Sequence, residues 1–159
     1  MPNSPHLIGL ISDTHGLVRP AVHEALKGVE IILHAGDVGG SEILDELRLI
    51  APVRAVFGNT DPPGMPELSE SINVDIGGLR VHVSHGHEVG SPTPERLAAR
   101  YDSDVVIYGH THRQLVTRLN GQLFVNPGAA GPRRFKLSAS VGIMTIVDGK
   151  PEVRIVDIA

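Results

Sequence analysis

The most constraining feature of this sequence is the way its apolar runs stop. Five short runs, residues 7–11, 31–33, 55–57, 81–83 and 105–108, each give way within a few residues to Asp, Asn or His set among Gly. Apolar runs this short, bounded by turn residues, read as buried strands. In an open α/β sheet, ligands bind beyond the carboxyl ends of the strands. The endings therefore identify one edge of the sheet as the place where chemistry happens.

Between these runs the first half alternates strand and helix. Residues 20–27 read as a helix with Pro20 in its first turn and Gly28 after it. Ser41 reads as the N-cap of a second helix to Ile50, with apolar positions at Ile43, Leu44, Leu47 and Ile50 and a stop at Pro52. The second half has a different texture. Residues 71–76 and 79–83 flank Gly77-Gly78 as a hairpin, and Thr93 caps a helix over 93–101. From Gln114 onward the chain reads as strands 114–119, 122–125, 141–147 and 152–158, with turns at Asn120-Gly121 and Asp148-Gly149. Strand–helix alternation followed by hairpins predicts one layered α/β sandwich over residues 1–159.

Composition narrows the function. A net charge of −4 argues against a protein held to nucleic acid or an anionic membrane by a basic surface. The chain has no Cys, which excludes disulfides, iron–sulfur clusters and thiolate chemistry. No apolar run approaches the roughly 20 residues of a membrane span, and no leader precedes the first strand, so a cytoplasmic protein is expected. Nine His against three Phe and two Tyr point to imidazole used for chemistry, within an aliphatic core.

The strand endings are Asp13-Thr-His15, Gly36-Asp37, Gly58-Asn59-Thr60-Asp61, His85-Gly86-His87 and Gly109-His110-Thr111-His112. Asp, Asn and Gly are ordinary turn residues, and any one of these blocks alone is weak evidence. His has no turn role, and five such blocks in succession do not look like turns. One donor each from Asp13, His15, Asp37, Asn59, His85, His110 and His112 makes seven. A catalytic zinc takes about three protein ligands, so seven suit two metals sharing a carboxylate. Mixed imidazole and carboxylate favour Mn, Fe, Zn, Co or Ni over Ca or Mg, with Mn expected first. Two such ions about 3.5–4 Å apart clamp a phosphoryl group and generate hydroxide near neutral pH, which predicts phosphoester hydrolysis.

The ordered series D-x-H, G-D, G-N-x-D, H-G-H and G-H-x-H resembles the signature of the calcineurin-like metallophosphoesterases. The short length resembles their small bacterial and archaeal phosphodiesterase branch. The likeness runs from Ile8 to about Arg134. It implies a four-layer α/β/β/α sandwich of two mixed sheets with flanking helices, and a dinuclear site at one edge. By that resemblance Asp13, His15, Asp37 and His112 hold the first metal. Asp37 bridges to a second, completed by Asn59, His85 and His110, with Asn59 also orienting the phosphate. The implied substrate is a small phosphodiester.

Many relatives carry a His within the G-N-x-D block that helps protonate the leaving group; here that residue is Thr60. His87, two residues past His85 on the same side of an extended chain, is the candidate acid. It reads equally as a residue hydrogen-bonded to a ligand carboxylate. Asp61 reads as fixing its own turn. Asn126-Pro127-Gly128 resembles a segment of the branch, with Ala129 where relatives carry Ser. Arg133 is a candidate phosphate contact through its planar fork, and Arg113 reads either that way or as solvated. His34 and His82 lie in strands and read as packed in the core or as supports behind the ligands, not as ligands.

The fold also occurs as a eukaryotic membrane-coat subunit that binds partner proteins and has a degraded metal site. That scaffold, and a nuclease, are the alternatives. The seven intact positions favour the enzyme, and net charge −4 argues against tight nucleic-acid binding. Exposed β edges in the C-terminal half make a homo-oligomer a further expectation.

Overall fold

The structure is a computed structural model that describes residues 5–62, 65–132 and 137–158. Eleven strands and three helices follow in the order β1 (His6–Ile11), α1 (Pro20–Ala25), β2 (Ile31–His34), α2 (Ser41–Arg48), β3 (Val53–Val56), β4 (Leu68–Ser69), β5 (Ile72–Ile76), β6 (Leu79–Val83), α3 (Pro94–Ala98), β7 (Val105–Ile107), β8 (Leu115–Leu119), β9 (Gln122–Asn126), β10 (Ser140–Val147) and β11 (Lys150–Asp157). They form a six-stranded sheet, β11-β10-β1-β2-β3-β4, and a five-stranded sheet, β5-β6-β7-β9-β8. Strands β1 to β4 run parallel, as do β6, β7 and β9, while the hairpin partners run antiparallel. The carboxyl ends of β1, β2 and β3 therefore share one edge of the first sheet, and those of β6, β7 and β9 one edge of the second.

Strand alternation builds the layers. In β7, Val105 and Ile107 face the first sheet while Val106 points the other way, onto Leu97 of α3. In β9, Leu123 and Val125 join the same inter-sheet core while Phe124 packs under α3. In β1, Ile8 and Leu10 enter the inter-sheet core, whereas Ile11 packs with Val22 and Leu26 around α1 and with Ile43, Leu44 and Leu47 of α2. The result is α/β/β/α, the expected four layers. Each buried Leu, Ile or Val contributes about 1.5–3 kcal/mol, so two aliphatic cores and a smaller third hold the strand ends in place.

Three local readings are corrected. Ser41 is the first residue of α2 and not its cap; Gly40 is the N-cap, at φ 139°, and makes no side-chain cap bond. The reason lies next door: a side chain at Gly39 would strike the backbone of Gly16, so the chain enters α2 through Gly39-Gly40. The helix also ends at Arg48, leaving Leu49 exposed. The segment after His85 is not extended. Gly86 takes φ 104° and the chain coils into a 3₁₀ turn over His87–Val89. Thr93 does cap α3, accepting a bond from the Arg96 N–H at 3.2 Å. No helix among the described residues is long and apolar enough to cross a membrane.

Candidate metal centre

Two loops at the ends of β1 and β2 continue the sheet's hydrogen bonding past its last strand residues. The N–H groups of Asp13, His15 and Gly16 donate to the carbonyls of Gly36, Asp37 and Val38 at 2.9–3.0 Å. Thr14 donates its hydroxyl to the Val38 carbonyl at 2.7 Å and meets His34 Nε2 at 2.9 Å. His34 Nδ1 accepts from the Gly36 N–H at 3.1 Å, so the ring carries its proton on Nε2. Burial pushes its pKa down to about 4, against the pull of Asp13 and Asp61. His34 is thus a neutral brace between the loops.

Asp61 braces the third block. Its carboxylate accepts from the N–H groups of Gly58, Val38 and Gly39 at 2.8, 3.1 and 3.1 Å. It fixes its own turn, as expected, and also ties that turn to the loop after β2.

Six of the seven expected donors cluster at atoms within hydrogen-bond or near-contact range of a neighbour in the set, and His15 lies 3.7–3.8 Å from two carboxylates. Asp13 Oδ2 accepts from Ser12 Oγ at 2.6 Å and from the His110 N–H at 3.2 Å. Its other oxygen, Oδ1, is fully buried with no hydrogen-bond partner among the described residues. Around that oxygen lie the Nε2 atoms of His112 at 3.3 Å, His15 at 3.8 Å and His85 at 3.9 Å. Asp37 Oδ1 accepts from the Thr60 N–H at 2.9 Å, and its Oδ2 faces His85 Nε2 at 3.3 Å and His15 Nε2 at 3.7 Å. His85 Nδ1 bonds the Ala35 carbonyl at 2.8 Å, which commits its proton there and turns Nε2 inward. That Nε2 lies 3.0 Å from Asn59 Oδ1, and His110 Nδ1 lies 3.1 Å from the same oxygen.

The two carboxylates set the electrostatics of the cluster. Burial alone would lower the His85 pKa, but Asp37 and Asp13 outweigh it and raise it. Burial likewise works against the Asp37 carboxylate, yet His85 and the Thr60 N–H hold it well below the usual carboxylate range. His110 is pushed down by burial and by His85. A buried unpaired carboxylate oxygen is costly, and here three imidazole Nε2 atoms lie 3.3–3.9 Å from it. The donors fit divalent metal. Asp13, His15 and His112 form one group whose ligand atoms lie within 4.8 Å of one another, and Asp13, Asp37 and His85 form a second.

Backbone conformation sets these residues apart. Among the described residues, seven non-glycine positions have positive φ: Asp13, His15, Asp37, His110 and His112 are five of them, and Asn120 and Asp148 are hairpin turn residues. Two glycines explain the block pattern. A side chain on Gly58 would strike Asp37 Oδ1, and one on Gly109 would strike Ser12 Oγ and Asp13 Oδ2. Gly precedes Asn59 and His110 because carboxylates from distant strands pack against those Cα atoms.

His87 reaches the rim by the coil and not by an extended chain. Its ring centroid is 5.3 Å from that of His85 and 6.4 Å from that of His110, and its buried Nδ1 has no hydrogen-bond partner among the described residues. Among the described residues its nearest carboxylate is that of Glu88, 3.9 Å from Nδ1, and not that of Asp13 or Asp37. Arg133 lies outside the described residues. His82 packs on Tyr101 at 3.8 Å and meets Asn73 Oδ1 at 2.9 Å, as a packed residue should. The sequence marks Asn126 only as part of the Asn-Pro-Gly segment, and its role was missed. Asn126, fully buried, donates to the Gly109 carbonyl at 3.2 Å and to Thr111 Oγ1 at 3.0 Å, while its Oδ1 accepts from the Gly128 N–H. It pins the Gly-His-Thr-His loop to the end of β9. A polar residue closing a sixth buried strand at the same edge was the available signal.

Residues 7–149 match the calcineurin-like phosphoesterase superfamily domain. A probable metallophosphoesterase of Methanothermobacter thermautotrophicus is 38% identical over 133 residues, 77% of this chain and 76% of that protein. The phosphodiesterase YfcE of Escherichia coli is 38% identical over 159 residues, with 84% of each chain covered. Among solved structures, vacuolar protein sorting 29 from Cryptosporidium parvum superimposes with a TM-score of 0.81 at 26% identity, covering 98% of each chain.

Proposed function

The chain belongs to the calcineurin-like phosphoesterase superfamily, and we propose that it is a phosphodiesterase with a dinuclear metal centre. The observation that carries the reading is the orphaned Asp13 Oδ1 among three imidazoles, beside a second group built on Asp37. Asp13, His15 and His112 would hold one ion, Asn59, His85 and His110 the other, with Asp37 between them. Two divalent transition ions, Mn foremost, supply charge neutralisation and a water acidic enough to attack phosphorus at neutral pH.

The chain's own residues do the rest. The Thr60 N–H and the Ala35 carbonyl fix Asp37 and His85, so neither reorganises during the reaction. Asn59, whose Oδ1 faces His85 and His110, would orient the phosphate. As water adds to phosphorus, the bond to the leaving oxygen breaks and that oxygen takes a proton. His87, whose ring centroid lies 5.3 Å from that of His85 and 6.4 Å from that of His110, is the candidate to hydrogen-bond it. Thr60 is no substitute acid, since its hydroxyl does not ionise near neutral pH. The enzyme should therefore prefer diesters with good leaving groups.

A second reading, a partner-binding protein without catalysis, draws on the likeness to vacuolar protein sorting 29. The complete donor set favours the enzyme. The test is hydrolysis of bis(p-nitrophenyl) phosphate against p-nitrophenyl phosphate by chelator-stripped protein resupplied with Mn, Ni, Zn or Mg. Diester turnover should return with Mn or Ni and fall by about 10³-fold or more in Asp37→Ala and His85→Ala. Absence of turnover with every metal, in protein that still binds two ions, would move the partner-binding reading forward.

A further inference from the structure

A phosphodiester carries two substituents, and only one leaves. The other must lie somewhere on the rim. Beside His112 a groove of about 430 Å³ opens, lined among the described residues by Arg113, Gln114, Leu137, Ser138 and Asp157. Topology explains its place. Gln114 precedes β8, Ser138 precedes β10 and Asp157 ends β11. β8 is antiparallel to β9 and β10 to β1, so these positions lie at the same rim as the ends of β1 and β9. The groove thus extends the candidate centre sideways, starting beside His112.

We infer that this groove seats the retained substituent of the diester, and that the substituent is a hydroxyl-bearing group of glycerol or sugar type. This rests on the phosphodiesterase reading. The lining supplies the argument. Leu137 is the one aliphatic side chain among the described lining residues, and no Phe, Tyr or Trp joins it, so the lining is mainly polar. The rest are hydrogen-bonding groups of both kinds. Asp157 Oδ1 accepts from Gln114 Nε2 at 3.3 Å, which orients the carboxylate and leaves its second oxygen for an O–H donor. A carboxylate held beside a cleft is the usual partner of a sugar hydroxyl. Ser138 and the Arg113 guanidinium supply a donor-acceptor and a donor to neighbouring oxygens. The volume is at the lower end of small-molecule sites and suits a glycerol or a single sugar.

The test holds the leaving group constant. Glyceryl p-nitrophenyl phosphate and methyl p-nitrophenyl phosphate carry the same charge and release the same phenol. The unsubstituted protein, loaded with Mn, should show a kcat/KM for the glyceryl ester about tenfold above that for the methyl ester, through KM. Asp157→Ala should bring the ratio of the two close to one, and Arg113→Ala, a surface change that does not endanger folding, should lower it in the same direction. A ratio near one in the unsubstituted protein, or a ratio untouched by both substitutions, would overturn the assignment of the groove. Failure to cleave either ester would instead overturn the phosphodiesterase reading on which it rests.

Discussion

The two ends of the same strands turn the chain in different ways. At the end away from the candidate centre the hairpins close on Gly77-Gly78, Asn120-Gly121 and Asp148-Gly149, residues that suit left-handed turns. A side chain added at Gly78, Gly121 or Gly149 would meet nothing within 4 Å. At the other end Asp13, His15, Asp37, His110 and His112 sit at φ between 45° and 74°, and Gly36, Gly39, Gly58 and Gly109 are pressed against neighbouring loops. A left-handed non-glycine residue costs about 1–2 kcal/mol. One end is built for turning and the other holds strained candidate ligands in place.

The contrast is broken most severely by placing one methyl group at each end. Gly58→Ala drives a Cβ into Asp37 and should cut diester turnover by about 10²-fold or more, since displacement on the scale of 1 Å is that costly. Gly149→Ala, facing open space, should leave turnover intact and cost about 1–2 kcal/mol in urea unfolding for its backbone conformation alone.

The buried histidines give the next effect. Burial pushes His82 down to about 4, with Glu88 opposing and Arg100 reinforcing. A folded pKa below the unfolded 6.5 means the unfolded chain binds more protons between those values. Stability is therefore unaffected above pH 6.5 and falls as pH drops from 6.5 toward 4. For metal-stripped protein, denaturant melts at pH 7 and 4.5 should show a loss about 2–3 kcal/mol larger in the unsubstituted chain than in His82→Gln.

The smallest effect concerns strain itself. Asp148→Gly relieves a left-handed residue with no role at the centre and should stabilise by up to about 1 kcal/mol. His15→Gly should likewise spare the metal-free fold, yet weaken metal binding measured by calorimetry. A His15→Gly protein that unfolds readily without metal would show that the left-handed His supports the fold and is not merely tolerated.

Much of the centre was readable because its blocks end buried strands. The apolar runs that form β1, β2, β6 and β7 put Asp13, Asp37, His85 and His110 on one edge from the sequence alone. What escaped reading depends on contacts between loops far apart in the chain. Ser41 looks like a cap, but Gly39 must clear Gly16, 23 positions earlier, and that moves the cap to Gly40. His87 looks extended, but Gly86 coils the segment. Asn126 braces a loop 17 residues away, and a spacing rule for donors has no term for it.

The most direct test is anomalous scattering at the manganese edge from crystals grown with Mn. Two peaks about 3.5–4 Å apart, one beside Asp13, His15 and His112 and one beside Asn59, His85 and His110 with the Asp37 carboxylate between, are the predicted result. A single peak, or two that leave Asn59 and His110 without an ion, would contradict the dinuclear centre.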